Sequence, residues 1–246
     1  MKSFKKGQSL VEFAVMLPLL LLLILGVVEV VIFVGTYINL IDLTREAARY
    51  ASTNDPFDPT FNGDKDCRTN TGPGSLNFYY DISCVFSPLA NPDYDLSNCT
   101  LNTNICKWHD GFNSTETFNS ATDDILVTVF TVTDNVVTDH WPQTGPWVWS
   151  NNDYDTAHSD NWQRSCDGTN PTEIAAPLMD AAYINNYMES GSQPSKGFVV
   201  VEAFFCYHQV LGAPIISQLL PDPVKLHVYT IMPLPAAQPS ATPKTP

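Results

Sequence analysis

Positive charge is scarce in this chain: 12 Lys and Arg stand against 26 Asp and Glu in 246 residues, a formal net charge of −14. Beyond residue 50 the balance is 7 Lys and Arg against 22 Asp and Glu, a net of −15. Nucleic-acid binders need basic surface to neutralise phosphate, so that partner class is excluded. Catalytic signatures are missing too, with no G-x-S-x-G, no H-E-x-x-H and no Gly-rich phosphate loop. The five histidines (His109, His140, His158, His208 and His227) are scattered, so the chain is read as a non-enzyme without a cofactor. There is no C-x-x-C and no His at ligand spacing from a Cys pair, which argues against zinc. Asn62, Asp64 and Asp66 alternate, as do Asp153 and Asp155, but neither run has the Gly and distal Glu of an EF-hand loop. Solvated loop acids are expected there.

What the chain does have is concentrated at its start. Lys2, Lys5 and Lys6 precede the junction Gly7-Gln8, and an apolar run follows from Phe13, interrupted by Glu29 and continuing to Val34. Residues 13–35 as a helix would reach about 34 Å at 1.5 Å per residue, enough to cross a hydrocarbon core of about 30 Å. A cleaved secretory signal has a shorter apolar core and a small-residue site after it, whereas Tyr37, Ile38 and Asn39 follow this one. The three lysines lie on the N-terminal side, while Arg45 and Arg49 on the far side are offset by Asp42 and Glu46. The positive-inside bias predicts a cytoplasmic N-terminus and an extracytoplasmic C-terminal part in a single-pass protein. All six cysteines (Cys67, Cys84, Cys99, Cys106, Cys166 and Cys206) fall beyond the span, as an even set destined for disulfides in an oxidising compartment would.

The run Gly7-Gln8-Ser9-Leu10-Val11-Glu12-Phe13 resembles the processing site of type IV-like prepilins of the tight-adherence (Flp) system, with cleavage after Gly and Glu at the fifth mature position. The continuation LPLLLLLILGVVE at 17–29, then TREAARYA at 44–51, looks specifically like the TadE-like pseudopilins. The likeness covers the first 53 residues, with a weaker echo where 197–207 leads into the Pro-rich 212–223. It implies a minor pseudopilin matured by a prepilin peptidase after Gly7, partnered by other pilins and the assembly machinery, and serving pilus assembly and surface adherence. Two other classes stay open: an anchored ectodomain that binds a surface or cations, and a tethered extracytoplasmic enzyme.

Three residues in the span need a reason. A carboxylate near the start of a membrane helix costs a few kcal/mol. For Glu12 the amine freed at Gln8 of a neighbouring subunit would supply a partner and set axial register beside Phe13; the alternative is headgroup solvation. Glu29 admits interfacial solvation or a helix-to-helix contact. Pro18 removes one helical hydrogen bond, and the resulting bend either serves packing or is neutral.

Tyr37, Leu40, Ile41, Leu43, Thr44, Ala47, Ala48 and Ala51 recur at helical spacing, so the helix is expected to run on to about Thr53, where Asn54-Asp55-Pro56 stops it. The expected division is a leader at 1–7, a transmembrane and stalk helix at 8–53, an extracytoplasmic α+β domain at 54–232 and a disordered Pro-rich tail at 233–246. Strands are expected at 124–133, 197–207, 224–232 and 76–86, and a helix at 171–188 whose early part Pro177 weakens. In the first strand Ile125, Val127, Val129 and Thr131 share one face and Leu126, Thr128, Phe130 and Val132 the other. The fold class is α+β, an antiparallel sheet packed on the outer half of the long helix in a pilin-like manner. The polar stretches 54–75 and 139–170 exceed ordinary loop length and call for disulfide staples. Trp141, Trp147 and Trp149 are expected to fill core or loop space, with a sugar- or partner-binding cluster as the other reading.

Overall fold

The computed structural model describes residues 5–58, 78–79, 82, 122–141, 149–150, 166, 181–189, 195–212 and 221–239. One helix, α1 (Lys5–Ser52), carries the apolar run and the amphipathic stretch that follows it. Its end is closed by side chains as well as backbone: the Thr53 hydroxyl and the Asn54 amide both donate to the Tyr50 carbonyl, at 2.8 and 2.7 Å. Asp55 then accepts the Phe57 N–H at 2.9 Å, turning the chain away just before the proline-restricted step.

Five strands form an antiparallel sheet: β1 (Asp124–Thr133), β2 (Val136–Trp141), β3 (Trp149–Ser150), β4 (Lys196–Tyr207) and β5 (Val224–Pro233). The order is β2-β1-β4-β5, with β3 pairing β1 beside β2. β1 and β4 match the expected strands, and both are buried nearly throughout, as central strands rich in β-branched residues should be. No strand was expected at β2, whose last three residues overlap the stretch 139–170 expected to be polar loop. The turn that makes it is Asp134-Asn135, with φ of 50° and 67°, the left-handed pair of a two-residue hairpin turn that Asp and Asn tolerate.

The two faces of β1 separate as the alternation requires. Ile125, Val127 and Val129 join Val199, Val201, Ala203, Leu226 and Val228 in one core with Leu40, Ala47, Ala48 and Ala51 of α1. Thr44, Ala47, Ala48 and Ala51 are fully buried, and their small size lets the helix lie close on the sheet, where Thr44 and Thr230 hydroxyls meet at 3.1 Å. On the other face Phe130, Val132 and Val200 pack with Ile184 of α2 (Ala181–Glu189), and Asn185 accepts the Val137 N–H at 2.9 Å. The Cys166–Cys206 disulfide ties a second segment to this sheet across 40 residues. The fold is therefore α+β, with a long apolar helix and an antiparallel sheet packed on its C-terminal part.

Several expectations change. Phe78, Tyr79 and Ile82 are helical, not extended, and they are buried in the α1 core. α2 occupies 181–189, and the start expected for that helix at 171–180 lies outside the described residues. The tail expected to be disordered from 233 is folded through 239: Leu234 and Ala237 are fully buried around a 3-10 turn (Pro235–Ala237). Gly197 makes room for that turn, since a Cβ there would collide with the backbone of Leu234 and Ala237. Trp141 is core, edge-on to Phe57 at 4.7 Å, and buried. Trp147, the candidate cation ligands Asn62, Asp64, Asp66, Asp153 and Asp155, and Cys67, Cys84, Cys99 and Cys106 lie outside the described residues, as does the Trp149 side chain.

Candidate assembly interface

Along α1 two surfaces succeed one another. From Leu10 to Val28 the side chains are exposed, apart from half-buried Leu22 and Gly26, and nearly all are aliphatic. That run is about 28 Å long as a helix, close to the hydrocarbon thickness of a bilayer. Among the described residues α1 is the one helix long and apolar enough to cross a membrane. From Glu29 onward one stripe turns inward: Glu29, Phe33, Thr36, Leu40, Thr44, Ala47 and Ala51 recur every three or four residues and meet the sheet. The domain thus reaches back along α1 to Glu29, inside the span expected at 13–35, and leaves 10–28 as the free apolar run.

Glu29 is the pivot between the two surfaces. Its side chain is 4% exposed. One carboxylate oxygen accepts the Tyr207 hydroxyl at 2.8 Å and the Val210 N–H at 2.9 Å, and the other accepts the Leu211 N–H at 2.9 Å. Tyr207 is the last residue of β4, and its ring stands edge-on to Phe33 of α1 at 5.2 Å. Three donors converging on one carboxylate replace the water a lone acid would need, and charge-assisted bonds of this kind are the stronger sort. Glu29 therefore clasps the end of β4 to the helix, in place of the solvent or neighbouring helix anticipated from sequence. Tyr207, Val210 and Leu211 were not singled out there. The detectable signal was phase: Glu29 lies on the same helical stripe as Phe33, Thr36 and Leu40.

The remaining sequence candidates are placed as follows. Gly7 and Gln8 lie in the first turns of α1. Glu12, Phe13 and Pro18 are on its exposed part, well before the domain contact begins. Cys166 and Cys206 are bonded to each other. Among the described residues no group of three or more His, Cys, Asp or Glu is placed to hold a metal. A groove of about 760 Å³ runs between α1 and β5, lined by Asp42, Arg45, Glu46, Arg49, Thr230 and Met232 among others. Its mixed charges include the Arg45–Asp42 pair at 3.5 Å, both partners largely exposed, so it is a solvated cleft. On the far face of the sheet Glu202 is fully buried and lies 2.8 Å from His227, whose ring stacks on Phe204 at 4.4 Å. This pair is on the face of the sheet away from α1, with His227 opposite Phe204 in register.

The arrangement can do one thing plainly: present a long apolar helix to lipid or to other helices while holding a folded domain on its C-terminal part. Neither a curated protein nor a solved structure matches the chain. Residues 7–49, which hold the Gly7 junction, the free apolar run, Glu29 and most of the docking stripe, match the model of the TadE-like protein family, associated with the tight-adherence pilus.

Proposed function

We propose that the chain is a minor pseudopilin of a tight-adherence (Flp-type) pilus or secretion system, processed after Gly7 by a prepilin peptidase. The observation that carries this reading is a coincidence of two features. The prepilin-like junction Gly7-Gln8, with Glu12 after it, sits immediately before a helical run, residues 10–28, whose aliphatic side chains its own domain leaves uncovered. A membrane tether alone gains nothing from a cut on the lysine side of the span. A subunit that must pack by its helix gains a new amine at Gln8, positioned to pair with Glu12 of a neighbour in an apolar bundle where an unpaired carboxylate is costly. The lysines removed with the leader hold the N-terminus in the cytoplasm before the cut. Prepilin peptidase, other pilins and the assembly machinery are the partners that follow, and the domain is displayed outside the membrane.

Mass spectrometry of the mature N-terminus, in cells with and without prepilin peptidase, tests the proposal. The expected result is a chain beginning at Gln8 in the first strain and at Met1 in the second. Met1 retained in both overturns it.

A further inference from the structure

The Glu29 clasp fixes more than the angle of the domain. It also fixes the height of the loop that follows β4, because the backbone N–H groups it captures belong to Val210 and Leu211. Those two residues lie level with Glu29, directly where the free apolar run of α1 ends. Their side chains turn outward: Val210 is 63% exposed and Leu211 38%. Just before them in the chain come polar groups, His208 with Asp222 at 3.6 Å and the Gln209 N–H on Asp222 at 3.2 Å. From Val210 to Pro221 the sequence holds no charged residue and includes three Leu and two Ile.

We propose that Val210 and Leu211 are a membrane-contact site, inserting into the headgroup and acyl boundary of the bilayer that α1 crosses. An aliphatic pair next to a polar set is what the interface demands, with apolar groups toward the acyl chains and the polar groups in the wet headgroup layer. The site is continuous with the apolar run of the helix, and the clasp removes the freedom by which the loop would otherwise swing away. On the opposite side of α1 the apolar surface runs on through exposed Val31, Val34 and Ile38. A helix tilted by about 20°, an ordinary value, keeps that side in lipid while the loop meets the headgroups. The domain is thereby held at the membrane at two points, the helix and this loop. This reading rests on α1 as a membrane anchor and does not depend on processing at Gly7.

The test uses the full chain in vesicles of phosphatidylcholine and phosphatidylglycerol, with brominated acyl chains as the quencher and unbrominated vesicles as the reference. Tryptophan is added singly as Val210→Trp or Leu211→Trp, as Val136→Trp at the opposite end of the sheet, and as Leu19→Trp within the apolar run. Both loop positions are exposed, so either variant serves if the other folds poorly. The expected result is loss of the added emission at 210, 211 and 19 and none at 136. Quenching at 19 with positions 210 and 211 behaving like 136 overturns the contact site and leaves the anchor standing. Absence of quenching at 19 overturns both.

Discussion

Glu29 carries the sharpest residue-level consequence. Glu29→Ala leaves the Tyr207 hydroxyl and two backbone N–H groups without their acceptor, and a buried donor left unmade costs about 1–3 kcal/mol. We expect a lower thermal midpoint for the full chain in detergent, with Tyr207→Phe giving a smaller loss of about 1 kcal/mol because one bond is removed and no charge is stranded. An unchanged midpoint for Glu29→Ala would show that the clasp contributes nothing. Glu12 is the contrasting acid. It lies on the exposed part of α1, seventeen residues before the buried Glu29.

At the scale of elements, two devices hold the sheet to its neighbours. The first is the close approach of the C-terminal 3-10 turn to β4, which depends on Gly197 having no side chain. Gly197→Ala must displace the turn or bend the strand; overpacking of this kind costs about 1–3 kcal/mol. Limited proteolysis should then cut near residues 234–239 in the variant and not in the parent, and equal protection of the two would refute the account. The second device is the Cys166–Cys206 disulfide, which closes a 40-residue separation. Cys166→Ala with Cys206→Ala should lower stability by about 2–4 kcal/mol, chiefly by freeing the unfolded chain. Chemical denaturation under oxidising conditions gives the measurement, and a midpoint equal to that of the parent would assign the bridge no stabilising role.

For the whole molecule, the division of α1 into a free run and a clasped stripe links subunit packing to domain position. Because the docking stripe and Glu29 fix the domain on the helix, any axial register adopted by packed helices is passed on to the domain. On the pseudopilin proposal, Glu12→Ala should still be cleaved after Gly7, yet co-purify less with pilus components. Assembly equal to the parent would return Glu12 to simple headgroup solvation. Combining this result with the Glu29 measurement separates the two acids: one tested between subunits, the other within a single chain.

Sequence alone determined whatever depends on local pattern. The apolar run, the alternating faces of β1 and the stop at Asn54-Asp55-Pro56 were legible because hydropathy, periodicity and proline sterics act over neighbouring residues. The Asp134-Asn135 hairpin was also local, and its signal lay in two residues that tolerate positive φ. Tertiary structure decided the rest. The partners of Glu29 lie about 180 residues away, at separations of 178, 181 and 182. The tail from 233 reads as disordered by composition, yet Leu234 and Ala237 find a buried place that only the approach of β4 at Gly197 provides. Where the free helix ends and the domain begins was settled in the same way. An apolar stripe looks alike whether it faces lipid or a sheet, and the difference is made by the distant strand that folds back to cover it.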